Sequence, residues 1–180
     1  MLPKIAVVED EEALSVLLRY NLEAEGFEVA TILRGDEAEI RLQERLPDLL
    51  ILDWMLPGVS GIELCRRLRP QPKTERIPVL HLSAAFVTDD DKVRGLDSGA
   101  DAYLTHPVEP AVLVATVQAL VRTRMAEQAM RVSEAKFRAI YDNAPSGIAL
   151  LDGEGRFIDA NPALLQLRGR PAAAVLGHEG

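Results

Sequence analysis

Five times along the chain a short apolar run gives way to an amphipathic, helix-forming one, and this alternation limits the fold more than any other feature. Ile5-Ala6-Val7-Val8 is apolar throughout and ends in the acids Glu9-Asp10. A run apolar on both faces belongs inside a parallel sheet. From Glu12 to Glu25 the residues Leu14, Leu17, Leu18 and Leu22 recur at helical spacing, and Gly26 stands where a helix stops. Phe27 to Leu33 is predicted as a second strand, and Asp36 to Leu46 as a helix closed by Pro47. Leu49-Leu50-Ile51-Leu52 is a third strand that delivers Asp53 at its end. Ser60 followed by Glu63 forms a capping box for a helix to about Arg69. Pro78 to Ser83 is a fourth strand. Thr88 and Asp91 repeat the capping pattern for a helix to Ser98, closed by Gly99. Ala102 to Thr105 is a fifth strand, and Pro110 is the first residue of the next helix.

Such alternation implies an α/β fold, a doubly wound five-stranded parallel sheet with helices on both faces. Right-handed crossovers leave few topologies, and the strand order 2-1-3-4-5 is one of two common solutions. In these sheets ligands bind at the carboxyl ends of the strands. Glu9, Asp10, Asp53, Ser83 and His106 all fall at such ends.

The helix that opens at Pro110 is unusually long. No Gly or Pro interrupts Ala111 to Ala144, so the helix should extend roughly 50 Å. A packed domain uses only its first three or four turns, and the stretch near Thr123 to Ile140 reads as a connector. Its apolar heptad is poor, so a coiled coil and a lone helix are equally supported. After Pro145 the pattern changes. Gly147 to Leu151, an Asp152-Gly153-Glu154-Gly155 turn, and Arg156 to Ala160 read as a hairpin, and Asn161-Pro162 starts a short helix.

Composition narrows the function. The net charge is −8, which argues against a nucleic-acid surface. The single cysteine, Cys65, excludes an internal disulfide and sits in a helical context as a packing residue. The first residues do not form a signal peptide, and no apolar run approaches the roughly 18 residues of a membrane span. A cytoplasmic location without membrane contact is expected.

Three carboxylates converge if the sheet forms in this order: Glu9 and Asp10 after the first strand, and Asp53 after the third. Like charges this close raise one another's pKa, and a divalent cation removes the conflict. Hard oxygen ligands suit Mg²⁺, and beside it Asp53 can act as a nucleophile toward phosphorus. Ser83 can donate a hydrogen bond to a phosphoryl oxygen, and Tyr103 lies on the fifth strand, three residues before His106.

The stretches Lys4 to Glu11, Pro47 to Gly58, Ser60-Gly61-Ile62-Glu63 and Gly99 to Leu104 resemble response-regulator receiver domains, with the phosphate-regulon type nearest. The resemblance covers residues 3–122 and implies a flavodoxin-like fold in a two-component phosphorelay. It implies Asp53 as the phosphoacceptor, and Glu9, Asp10, Asp53 and the backbone carbonyl of Met55 as Mg²⁺ ligands. Ser83 and Tyr103 match the paired switch positions. The phosphoryl donor would be a histidine kinase or phosphotransfer protein, and the only catalysis expected is self-phosphorylation and dephosphorylation at Asp53. Two positions depart from the pattern. The usual Lys-Pro is here His106-Pro107, and the acid and base through which phosphate-regulon receivers pair are here Val112 and Thr116. Dimerisation through the connector helix is the remaining route.

A second resemblance starts in the connector. Ser133 to Pro145, Gly147 to Asp152 and Asp159 to Ala163 are similar to the opening of a PAS sensory domain. The organisation expected is a receiver at 3–122, a connector helix at 123–144 and an incomplete, α+β PAS segment at 145–180, as at the front of hybrid sensor histidine kinases and some cyclic-dinucleotide enzymes. The alternative function is a pseudo-receiver, a phosphate-independent binding module that the missing lysine would allow. A haloacid-dehalogenase-like phosphatase needs a second Asp two residues after the nucleophile, where this chain has Met55. A dinucleotide-binding enzyme needs a Gly-x-Gly-x-x-Gly after the first strand, which is missing.

Overall fold

Residues 2–84 and 98–168 are described by a computed structural model. The predicted alternation is present. The strands are β1 (Lys4–Val8), β2 (Glu28–Ile32), β3 (Leu49–Asp53), β4 (Val79–Ala84) and β5 (Ala102–His106). They form one all-parallel sheet in the order β2-β1-β3-β4-β5. Helices α1 (Glu12–Ala24), α2 (Gly35–Glu44), α3 (Gly61–Leu68) and α4 (Pro110–Asn143) follow β1, β2, β3 and β5. The helix predicted from the Thr88 and Asp91 capping pattern lies outside the described residues.

Side-chain alternation explains how one sheet supports two cores. Ala6, Val8, Leu50, Leu52 and Val79 point to one face, where Ala38 and Leu42 of α2 and Leu64, Cys65 and Leu68 of α3 cover them. Ile5, Val7, Leu49, Ile51, Leu80 and Leu82 point to the other, against Leu18 and Leu22 of α1 and Leu113, Val117 and Val121 of α4. Each Val, Leu or Ile among them contributes about 1.5–3 kcal/mol by leaving water. That is why strands apolar at every position mark this architecture.

Local chemistry sets the element ends. Gly26, with φ of +84°, turns the chain out of α1. Ser60 Oγ accepts a hydrogen bond from the Glu63 N–H at 3.3 Å and caps α3. The Glu63 carboxylate bonds Arg67 at 2.9 Å, so among these contacts only the serine half of the capping box is made. Gly61 starts α3 hard against the end of β3. A Cβ there would collide with the Asp53 carbonyl, so the close approach requires glycine.

The chain divides into two compact units, Met1–Ala126 and Glu127–Gly180. In the second, β6 (Ala149–Leu151) and β7 (Phe157–Ala160) form an antiparallel hairpin, followed by α5 (Pro162–Arg168). Asn161 is fully buried and organises this unit. Its Oδ1 accepts from the N–H groups of Ile148 and Leu164, at 2.8 and 3.0 Å, and its Nδ2 donates to the carbonyls of Tyr141 and Ser146, both at 3.0 Å. The Leu164 bond makes Asn161 the cap of α5. No helix of the described residues is long and apolar enough to cross a membrane.

Candidate functional site

At the carboxyl edge of the sheet, β1 and β3 are neighbours and end side by side, with Val8 paired to Leu52. That pairing brings Glu9 and Asp10 to Asp53. One carboxylate oxygen from each lies within 4.8 Å of the others. Glu9 is only 3% exposed, Asp53 is half-buried and Asp10 faces solvent.

The three acids differ in how they are held. The Glu9 N–H bonds the Ile32 carbonyl at 3.0 Å, and its Oε1 accepts from the Glu11 N–H at 3.1 Å. Its Oε2 is buried with no hydrogen-bond partner among the described residues. Burial, with the charges of Asp53, Asp10 and Glu11, pushes the Glu9 carboxyl up to about 7, against the pull of the Glu11 N–H. Asp53 Oδ1 accepts from the Trp54 N–H at 2.7 Å. Burial also raises the Asp53 carboxyl; the Trp54 and Met55 N–H groups oppose this, as does the charge of nearby His106, while Asp10 adds to it.

The other predicted positions sit on the neighbouring strand ends. The hydroxyls of Ser83 and Tyr103 are hydrogen-bonded to each other. Ala84 at the end of β4 pairs with His106 at the end of β5. His106 Nε2 is buried and without a partner among the described residues, and the His106-Pro107 peptide bond is cis. Met55 lies two residues past Asp53 with its side chain 81% exposed.

Sequence reasoning passed over two residues that pack behind this edge. Trp54 packs its ring against Tyr103 and His81, with centroids 5.4 and 6.3 Å apart, and its indole nitrogen is buried without a hydrogen bond among the described residues. His81, in the middle of β4, is fully buried. Its Nδ1 lies 3.4 Å from the Leu52 carbonyl and its Nε2 3.2 Å from Ser98 Oγ. Burial pushes this imidazole down to about 4, so it is neutral at physiological pH. Trp54 directly follows Asp53 and is the chain's one tryptophan, a signal that could have singled it out.

The donor set suits a hard divalent cation. It offers three carboxylates, one with a buried oxygen that no other described residue satisfies, and a positive charge there would remove the cost of ionising Glu9.

A 2-1-3-4-5 sheet with an acid cluster at its carboxyl edge is the architecture of signalling receiver modules. The chain belongs to the response regulator receiver domain family, whose family model matches residues 5–118. Residues 135–178 match the PAS domain model. The phosphate regulon transcriptional regulatory protein PhoB of Rhizobium meliloti (strain 1021) is 73% identical over 122 residues, 68% of this chain and 53% of that protein. The response regulator PleD of Caulobacter vibrioides is 35% identical over 181 aligned positions, 99% of this chain and 39% of that protein. The chain thus spans about half the length of PhoB and less of PleD. Among solved structures, the signal receiver domain of a signal transduction histidine kinase from Syntrophus aciditrophicus superposes with a TM-score of 0.64 at 35% identity, covering 67% of this chain and 91% of that one. The receiver domain of a Pseudomonas aeruginosa sensor histidine kinase, described with a magnesium ion coordinated in its active site cleft, gives 0.62 at 25% identity, covering 67% and 98%.

Proposed function

We propose that this chain is a phosphoryl-accepting receiver, with Asp53 phosphorylated by a histidine kinase or phosphotransfer protein. The observation that carries the reading is the cluster of Glu9, Asp10 and Asp53 within 4.8 Å, with the buried Glu9 Oε2 unpartnered among the described residues. These carboxylates, with the Met55 carbonyl, would hold Mg²⁺, which when bound offsets the charge that gathers on a transferred phosphoryl group.

Asp53 supplies the nucleophile. One of its carboxylate oxygens attacks phosphorus, the bond from phosphorus to the donor breaks, and the donor leaves with that electron pair. The Trp54 N–H at 2.7 Å helps to fix the carboxylate. Ser83 and Tyr103 act as the switch pair, coupled through their hydroxyls. His106 stands where the family has lysine. An imidazole is shorter than a lysine side chain and carries no fixed charge, so it offers a hydrogen bond but not a permanent cation. Phosphorylation should therefore persist while coupling to the Ser83 loop weakens. The receiver spans 3–122, the connector 123–144 and the PAS segment begins at 145.

The test is intact-mass spectrometry after incubation with a small acyl phosphate. One phosphate should appear with Mg²⁺ and none with EDTA or in Asp53→Asn. Equal labelling of Asp53→Asn would remove the assignment. In parallel, His106→Lys is compared with the wild type by amide shifts on adding beryllofluoride. A larger Ser83 and Tyr103 response in the lysine variant is expected. Labelled wild-type protein with no shift in either variant would favour the pseudo-receiver reading.

A further inference from the structure

β2 stands at the edge of the receiver sheet, with β1 on one side and no described strand on the other. The ladder decides which of its backbone groups stay free. The Glu28 N–H bonds the Pro3 carbonyl at 2.9 Å, and the Ile32 carbonyl accepts from the Glu9 N–H at 3.0 Å. Alternation in a parallel ladder then turns Glu28, Ala30 and Ile32 toward β1, and Val29 and Thr31 outward. Two N–H groups and two carbonyls therefore line the edge at strand spacing, without partners among the described residues.

Natural edges are commonly blunted by charge, proline or a bulge. Here Val29-Ala30-Thr31-Ile32-Leu33 holds no charge and no proline, and the pairing with β1 runs in unbroken register over Glu28–Ile32. Exposed apolar side chains border it: Val16 of α1 at 54%, Leu33 at 39% and Leu46, just past α2, at 43%.

A cavity flanks each half of this strand. The first, of about 410 Å³, lies against α2 and is lined by Val29, Ala30, Leu42 and Leu46. The second, of about 480 Å³, reaches α1 and is lined by Thr31, Leu33, Ser15 and Val16. A strand added to the edge points successive side chains to opposite faces of the sheet, one toward α1 and the next toward α2. Charge gives that strand a direction. Arg41 and Arg45 are paired with Glu37 and Glu28, and Lys4 and Glu44 offset each other at the first cavity. At the second, Glu12 is an acid with no ion-pair partner among the described residues, so a cation is favoured at that end. In a second copy of this chain the side chains of β2 would already face that copy's own cores, and edge-to-edge pairing would leave both cavities unfilled.

We propose that the β2 edge is a docking site for an extended segment of another protein, which adds a sixth strand antiparallel to β2, sets β-branched side chains in the two cavities and places a basic residue near its start beside Glu12. Four backbone hydrogen bonds, to Val29 and Thr31, supply the affinity, and the cavities with Glu12 supply the selectivity. Antiparallel pairing is the more stable arrangement per residue, and it exchanges two bonds with each outward residue. The contact needs neither Mg²⁺ nor phosphate.

The full chain is tested by amide hydrogen exchange read by NMR, with the synthetic peptide acetyl-Lys-Val-Thr-Val-Thr-Val-Thr-amide as probe. At a peptide concentration about ten times the half-saturating value, exchange at the outward amides of Val29 and Thr31 should slow about tenfold. Thr31→Pro removes one outward N–H and leaves the ladder to β1 intact, and it should weaken binding by about tenfold. Glu12→Lys, which keeps every backbone group, should weaken it by about two- to fivefold, as should moving the lysine to the other end of the peptide. Unchanged exchange at both amides, binding indifferent to Thr31→Pro and to Glu12→Lys, or protection without peptide that rises with protein concentration, the mark of a second copy on the edge, would each overturn the proposal.

Discussion

His81 gives the receiver a pH-dependent term that can be isolated by one substitution. It lies wholly buried in β4, with an imidazole that burial holds at about 4 against an ordinary 6.5. As pH falls below 6.5, the unfolded chain takes up a proton that the folded chain refuses. Stability contributed by the neutral ring is therefore complete above 6.5 and lost as pH drops toward 4. At about 1.4 kcal/mol per pH unit, the interval from 6.5 to about 4 amounts to about 3 kcal/mol. Glu9 acts with the opposite sign. Its folded carboxyl is raised from 4.5 to about 7, so stability falls as pH rises across nearly the same window. The wild-type profile in the absence of metal is flattened by this opposition, and the His81 term is visible only as a difference between two proteins.

The comparison is His81→Leu combined with Ser98→Ala, which removes both ends of the 3.2 Å contact. Urea unfolding in EDTA is followed by Trp54 fluorescence, which reports on the receiver because that indole is buried in it. At pH 7.5 the variant should lie within about 1 kcal/mol of the wild type, since a buried neutral hydrogen bond is exchanged for apolar packing. At pH 4 it should be the more stable protein by about 2–3 kcal/mol, the Glu9 term being common to both. A stability difference that stays constant between pH 7.5 and 4 would refute the reasoning.

Three further outcomes follow from the geometry. Glu9→Gln should stabilise the metal-free protein at pH 8 by about 2 kcal/mol in urea unfolding, because it removes the cost of ionising a buried carboxyl and leaves a partly satisfied amide; the order should reverse in Mg²⁺, which only the wild type binds well. Arg69 donates to the carbonyls of Gly99, Glu75 and Ile77 and to Asp101, at 2.6 to 3.0 Å, so Arg69→Ala should cost about 2–4 kcal/mol and Arg69→Lys should not rescue it, since an ammonium cannot span that fork. Asn161→Ala should leave the receiver's protease-resistant core unchanged but speed cleavage after Ala126, because four hydrogen bonds of the second unit lose their common partner; equal resistance in limited proteolysis would show that Asn161 does not organise that unit.

What could be read from the sequence depended on the range of the interaction involved. Leu49 to Leu52 announce a buried strand because burial on both faces leaves no polar position, and the acids at Glu9, Asp10 and Asp53 stand out because such runs end there. Strand ends moved by a residue or so, as β5 extends to His106 and α2 begins at Gly35, since hydrogen bonds from neighbouring segments decide them. The strand pattern from Pro78 to Ser83 said nothing of the contact between His81 and Ser98, which lies in a different segment, or of the neutral state that burial imposes on the ring. Trp54 was passed over for the same reason. Its packing on Tyr103 requires β3, β4 and β5 to be adjacent, which no local pattern encodes.

The two units reach order by different means, and this sets how each can respond to change. The receiver has two apolar cores on one sheet, so loss of one polar contact lowers its stability without removing its organisation. In the second unit Phe137, Ile140, Leu151, Ile158 and Leu167 are all more than half exposed, and a two-stranded hairpin with one short helix buries little apolar surface. Its definition falls on Asn161, which joins the end of α4, the turn before β6 and the start of α5 through one side-chain amide. A polar hub of this kind is directional, whereas apolar packing is not. Small shifts of Tyr141 therefore act on α5 through a single buried group, the Asn161 side-chain amide.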